Sequence, residues 1–557
     1  MFFQIIGTFT ITDYLLIIFL TFLSYLFSFY YNYFTRPNPL PGPIPLPFEL
    51  EIFIYGSNFK HIATTLYQKY GDICEIRFGG HRRIILSKTE YFENLLSTSS
   101  KSSSLFGKHE HTQGMDELGI FGRGIFFNSN YDTWKINRYL FSQAISTLGF
   151  NNEAIKRTNE SFDELVEYWN LLSNSRLSSN DSNSNSSNND WFEIDFLPWI
   201  KKFTSDIISV LTTGEKAYSM ASYYNTCNSI DYIENSCRDD PTLNNSDKFI
   251  QGIISLIKGM IIFQIFNPFL RHHLPLIKDK ANNVLENRDF IFKTLDDIIK
   301  KRKMELTNNP QKLKSKHDLL TYLLTTNHED KIPINDEVIR SILLDAFLAG
   351  FDTTSNLLCY IIYYICHNPN VKQKMFDEID SVFPSDISHV TADILAKLKY
   401  CEAIIKETSR MMPVTAVSKR VAATECEVAG YIWPAKTVFH LNYASIHMNE
   451  KHWENPNDYD PDRFYLKNDF NEFENDFDVE NKKSIHNMDK YSLVIFGGGI
   501  RICPGKKFAM INMLSFMALM FRKYDIELVD MQAPLNTCTT FITMCLDLKI
   551  KIKPRKS

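Results

Sequence analysis

The sequence has no C-x-x-C pair among its 10 cysteines. Neither a zinc site nor a thioredoxin-like motif is therefore indicated. It also has no C-x-x-C-H, so covalent attachment of a c-type haem is not indicated. The thiols are scattered from Cys74 to Cys545 rather than packed into a small disulfide framework, which places the main domain in a reducing compartment. A basic excess is missing too. Lys plus Arg number 60 against 65 Asp plus Glu, a net charge of -5, which argues against a nucleic-acid partner. There is no internal repeat and no sign of a second domain. The 557 residues exceed one typical domain, although large single-domain enzymes reach that length. Aromatics are plentiful, with 43 Phe and 27 Tyr, as a large apolar interior or a membrane-facing surface would need.

The first long apolar run, Tyr14 to Tyr31, carries no charge. Its length falls in the roughly 17–25 residues that a bilayer-spanning helix needs. It is too long for a usual signal-peptide apolar region and lacks a basic leader. A buried core helix shares the composition, but length and position favour a single-pass membrane anchor. No Lys or Arg precedes the run and Arg36 follows it, which puts the downstream domain in the cytosol. Next comes RPNPLPGPIPLP, residues 36–47, whose prolines forbid a helix and predict a stiff, extended spacer or a plain linker.

CEIRFGGHRRIILS, Cys74 to Ser87, reads as two strands about a Gly-Gly turn. Asn335 to Cys366 reads as one long helix, with Asn335 as N-cap and Asp336 and Glu337 in the first turn. Asn368–Asn370 ends that helix and starts another. SSNDSNSNSSNND, Ser178 to Asp190, is a low-complexity surface loop, and Asp469 to Asp489 is an acidic exposed insertion.

The stretch FGGGIRICPG, Phe496 to Gly505, sets one thiol among glycines, a proline and one arginine. The following GKKFAMINMLSFMALMF has helical spacing, so Cys503 lies just before a helix N-terminus, where free amides and the macrodipole favour a thiolate. The glycines let the backbone approach something flat, and Arg501 suits a carboxylate. These are the needs of a haem held by a cysteine thiolate and steadied through its propionates. Upstream, AGFDTTS, Ala349 to Ser355, lies in the long helix, with Ala346, Gly350, Thr353 and Leu357 on one face. Gly350 would free space for oxygen or a haem plate. Thr353 can bond back to the carbonyl four residues earlier and open the helix. Asp352 beside it is an acid in an otherwise apolar helix, and an acid with an alcohol can hold a short water relay that delivers protons.

Phe496, Gly499, Arg501, Cys503 and Gly505 fit F-x-x-G-x-R-x-C-x-G. With the other motifs in order, the chain from about Pro39 onward resembles the cytochrome P-450 family of haem-thiolate monooxygenases, of the membrane-anchored microsomal type. The resemblance implies a mainly α fold with a smaller β region. It is a single large domain with haem between a long central helix and the cysteine loop, behind an N-terminal transmembrane helix. It divides the chain into an anchor at 1–35, a proline-rich hinge at 36–47 and the haem domain at 48–557, with insertions at 173–190 and 466–490.

KETSR, Lys406 to Arg410, matches the family's E-x-x-R helix, and YDPDRF, Tyr459 to Phe464, its P-E-R-F element with Asp462 in place of the usual Glu. The resemblance then makes Glu407, Arg410 and Arg463 a buried structural triad that locks the cysteine loop. WKINR resembles the W-x-x-x-R helix, so Trp134 and Arg138 would meet a propionate, with Arg420 in the place of another family arginine. Cys503 would be the axial ligand of heme b (iron protoporphyrin IX), Thr353 would steady the oxygen and Asp352 would feed the relay. Substrate walls would come from Ser102–Ile125, Cys227–Phe266, Ser341–Thr353, Pro413–Val417 and Thr539–Met544, apolar enough for a lipophilic small molecule. The implied partners are O2, NADPH-cytochrome P-450 reductase, cytochrome b5 and a lipid membrane. Lys135, Lys506 and Lys507 could form a docking face for the reductase. A peroxide isomerase or dehydratase and a haem sensor are the competing readings, and the Asp352–Thr353 pair counts against both.

Overall fold

The computed structural model describes residues 10–47, 58–78, 81–96, 107, 112–179, 191–228, 241–309, 311, 316–329, 334–384, 387–465, 490–540 and 542–555. The low-complexity segment 180–190, the acidic segment 466–489, and 102–106, 108–111, 229–240 and 541 of the expected substrate walls lie outside them.

The front apolar run is helix α1, Ile11–Phe34. Thr10 caps it, accepting from the Asp13 amide while its own amide donates to the Asp13 carboxylate at 2.8 Å. Its apolar stretch has a mean hydropathy of 1.8 and none of it is buried, unlike a core helix. The proline-rich segment after it forms no helix through Leu46. It is pinned rather than free: the Glu75 amide donates to Pro41 O at 2.9 Å, and Leu40 is buried in the small-sheet core. A Cβ on Gly42 would lie 2.1 Å from Glu75 O, so only glycine lets the linker lie this close to the sheet.

That sheet has four strands. Strands β1, Ile73–Phe78, and β2, His81–Leu86, form the expected hairpin, with Phe78 opposite His81. Strands β3, Val417–Val421, and β4, Val438–Asn442, complete the order β1-β2-β4-β3, with β4 parallel to β2 and antiparallel to β3.

The larger part is helical. Helix α2 spans Tyr131–Ser146, α3 Leu148–Ser179 and α4 Phe196–Thr213. Phe162, Phe196 and Phe203 close on Phe516 with ring centroids 6.0, 6.1 and 5.2 Å away. Burying an aromatic of that size contributes about 1.5–3 kcal/mol.

The predicted long helix begins at Asn335, whose side chain accepts from the Val338 amide at 2.9 Å. It is two helices in line, α5, Asp336–Gly350, and α6, Asp352–His367, interrupted at Phe351. Thr353 Oγ1 donates to Ala349 O at 2.7 Å, the back-bond expected from the sequence. Thr204 of α4 donates to Phe351 O at 3.2 Å, a second partner beside the Ser355 amide for this carbonyl at the break. Gly350 has a different reason from the one its sequence suggested. A Cβ there would meet Ile208 Cδ1 at 2.6 Å, so the glycine lets α5 pack on α4. Helix α7, Lys399–Met411, and helix α8, Lys506–Lys523, frame the loop between Val494 and Gly505.

Candidate active site

The cysteine loop is a tight bend between extended chain and α8. Gly497 and Gly499 have φ of 80° and 65°, a left-handed region that side chains resist. Gly499–Arg501 forms one 3-10 turn. The Cys503 amide then donates to Phe496 O at 2.8 Å, closing the bend. Gly505 is the N-cap of α8, so the thiol sits one turn ahead of that helix's unsatisfied amides. Among the described cysteines Cys503 is exposed, whereas the others are buried or half-buried.

Three guanidinium groups stand near this thiol. Arg501 lies over the Trp134 ring, 4.7 Å from its centroid, and donates to Ile125 O at 3.2 Å and Asn128 O at 2.9 Å. Arg420, on β3, donates to Lys419 O and to Gly498 O at 2.9 and 3.2 Å. Arg138, one turn after Trp134 on α2, is half-buried and has no hydrogen-bond or ion-pair partner among the described residues. Burial, then repulsion from Arg420 and Arg138, pushes Arg501 down to about 9. Burial also lowers Arg138, which the charge of Cys503 opposes.

Asp345 of α5 is the carboxylate that opposes the repulsion on Arg501. It accepts the Ile125 and Phe126 amides at 2.6 and 2.9 Å, and burial raises it to about 6. Segment 125–128 is thus held between Asp345 and Arg501. Three crowded cations around an exposed thiol, one of them without an anion or acceptor, fit a ligand with a metal and two carboxylates. A cysteine-ligated haem with its propionates has that chemistry.

Under the loop, Arg410 is fully buried and forms a bidentate pair with Glu407, both contacts at 2.7 Å. It also donates to His447 O at 2.9 Å, Pro456 O at 2.8 Å and Asp458 O at 3.0 Å. Arg463 Nε lies 3.6 Å from Glu407 Oε1, and Arg463 Nη2 donates to Asn455 O at 3.0 Å. Asp462, the residue that departs from the family pattern, faces outward and pairs with Lys374 at 2.5 Å.

On the opposite side, Asp352 and Thr353 turn to different neighbours. Thr353 bonds back along the helix, next to the exposed Ala349. The Asp352 carboxylate lies 3.1 Å from Lys201 Nζ on α4 and 3.3 Å from Asn356 Nδ2. Neither Lys201, Asn356, Asp345 nor His447 was singled out from the sequence. No local motif marks them, because each acts on residues distant in the chain or buried by packing. Of the three lysines suggested for docking, Lys135 and Lys507 are exposed and Lys506 is half-buried.

The chain matches the cytochrome P450 family model over residues 39–554. It is 22% identical over 521 residues to (S)-1-hydroxy-N-methylcanadine 13-hydroxylase of Papaver somniferum, covering 90% of this chain and 86% of that protein. It is 24% identical to the steroid 17-alpha-hydroxylase/17,20 lyase of Ictalurus punctatus, over 83% and 80% of the two chains. Cytochrome P450 3A9 of Rattus norvegicus is 28% identical over 49% of this chain and 51% of its own.

Proposed function

The chain belongs to the cytochrome P450 family, whose members are haem-dependent monooxygenases, and from that premise we propose a specific working cycle for it. Cys503 would hold the haem, and an NADPH-dependent reductase, with cytochrome b5 as a further donor, would supply the electrons. One atom of O2 enters a lipophilic small molecule and the other leaves as water. The observation that carries this reading is the exposed Cys503 thiol beside Arg138, Arg420 and Arg501, of which Arg138 has no hydrogen-bond or ion-pair partner among the described residues.

When bound, the haem supplies oxygen activation, and thiolate ligation favours O–O cleavage. The protein residues do the rest. The first turn of α8 favours the anionic sulfur of Cys503. Trp134, Arg138, Arg420 and Arg501 would hold the two carboxylates of the haem, while Phe496, Gly499 and Gly505 set the loop's bend. Glu407, Arg410 and Arg463 fix the platform beneath it. Thr353 offers its hydroxyl for a proton at the break in the long helix. Asp352, its charge countered by Lys201, exchanges protons with that hydroxyl through water.

Residues 1–35 act as a single-pass anchor in the endoplasmic reticulum, 36–47 as the hinge and 48–557 as the catalytic domain in the cytosol. Lys135, Lys506 and Lys507 meet the reductase. The test has two arms. Reduced protein with CO should show the red-shifted Soret band of thiolate ligation, and Cys503→Ser should abolish it. Persistence of the band in that variant refutes Cys503 as ligand. Turnover of an oxidisable lipid or sterol should require NADPH, reductase and O2 together. Turnover with a peroxide substrate alone, and no O2 uptake, would establish the isomerase reading instead.

A further inference from the structure

Where α1 ends, the chain becomes basic in three separate places that the fold brings to one groove of about 480 Å³. Its wall on the helix side includes Asn32 and Thr35, and its other sides carry Arg36, Arg77, Arg82 and Lys436. Trp433 forms part of its lining, with the Arg82 guanidinium 5.1 Å from the ring centroid.

The charges do not balance. One carboxylate, Glu75, serves both Arg36, at 2.5 Å, and Arg82, whose Nε donates to it at 2.8 Å. Arg77 and Lys436 have no ion-pair partner among the described residues. Arg77 Nε is buried and makes no hydrogen bond, and its guanidinium lies 5.8 Å from the Phe29 ring of α1. Four cations thus face one shared anion. Burial lowers Arg82, and Arg36 and Arg77 add their repulsion against the pull of Glu75. Two of the four are fixed in place. Arg36 stacks on Tyr33 at 3.9 Å and Arg82 donates to Pro37 O at 2.7 Å, while the exposed Lys436 is held through its backbone, its amide donating to Ala422 O at 2.7 Å.

The groove's position selects its ligand. An α-helix of this length runs about 36 Å, enough to cross the roughly 30 Å hydrocarbon core. Asn32 and Thr35 lie at its C-terminal end, and Tyr31, Phe34 and Ile432 are exposed beside the groove. A lipid held there by its headgroup would lay its apolar body in the same layer as these side chains. We propose that this groove binds the phosphate of an anionic lipid headgroup, with Arg77 and Lys436 as its principal contacts. The inference rests on the reading of α1 as a membrane anchor.

The test uses the full-length haem protein and vesicles of phosphatidylcholine, alone or with one-fifth phosphatidic acid. Energy transfer from tryptophan to dansyl-labelled lipid should favour labelled phosphatidic acid over labelled phosphatidylcholine. Arg77→Gln and Lys436→Gln should each reduce that preference about fivefold, the factor expected for one basic side chain at an anionic surface. Both should keep the wild-type haem spectrum and still float with phosphatidylcholine vesicles. An unchanged preference in the double variant overturns the site while leaving the anchor intact. Failure of the wild type to float with either vesicle overturns the anchor, and the site with it. Binding of glycerol 3-phosphate in detergent as tight as that of phosphatidic acid, and equally sensitive to the two substitutions, overturns the lipid assignment in favour of a soluble phosphate ester.

Discussion

Two sets of buried or half-buried arginines lie near the cysteine loop, and they differ in how their charge is met. Arg410 has a bidentate carboxylate and three backbone carbonyls. Arg138, Arg420 and Arg501 have carbonyls for two of their number, one nearby carboxylate already engaged with two amides, and each other. A saturated buried ion pair holds structure, because removing one partner strands the other. A crowded set of cations holds a place for an anion. On the proposed reading, the difference separates arginines that keep the fold from arginines that keep the cofactor.

Breaking the saturated set should have the largest effect. Arg410→Leu leaves the Glu407 carboxylate buried without its main partner, at a cost of about 3–5 kcal/mol. We expect little soluble protein and a lower denaturation midpoint in what remains. Glu407→Leu combined with Arg410→Leu should recover part of that stability, since it removes the stranded charge. If the double variant is as unstable as the single one, the carbonyl contacts and not the ion pair hold the loop.

The crowded set should behave in the opposite way. Arg138 makes no hydrogen bond, so Arg138→Met should leave the stability of the haem-free protein within about 1 kcal/mol of the wild type. Its haem affinity should nevertheless fall about tenfold to a hundredfold, the range for one charge-assisted bond of about 1.5–3 kcal/mol. Haem transfer to excess apomyoglobin measures the loss. Unaltered transfer would mean that Arg138 faces no propionate, and the contrast between the two sets would shrink to Arg420 and Arg501.

What the sequence conveyed about these sets follows from distance along the chain. Glu407 and Arg410 are three apart on one helix, so their pairing needed only helical geometry. The bend at Cys503 was legible because its glycines, proline and helix start are contiguous. The hairpin at Cys74–Ser87 and the cap at Asn335 were legible for the same reason. The hold of Asp345 on Ile125 spans 220 residues, and Lys201 reaches Asp352 across a helix–helix contact. Neither leaves a periodic trace. Gly350 shows the converse hazard. Its motif suggested room for a cofactor, whereas the atom it excludes would strike Ile208 of a neighbouring helix.

One residue joins the saturated network to the loop, and it titrates. The His447 carbonyl accepts from Arg410, while its Nε2 accepts the Val494 amide at 3.0 Å, two residues before Phe496. The ring is buried, and burial with the charges of Arg410 and Lys60 pushes it down to about 3. An unfolded chain binds this proton below about 6.5, whereas the folded chain refuses it until about 3. Stability from this group is therefore complete above pH 6.5 and declines as the pH falls, by about 1.4 kcal/mol per unit across that window. His447→Gln keeps an acceptor for Val494 and removes the titration. Its urea midpoint should depend less steeply on pH between 5 and 6.5 than the wild type's, while both arginine sets remain in place. Parallel slopes would show that His447 carries no part of the acid sensitivity, and that the loop is tied to Arg410 through the backbone alone.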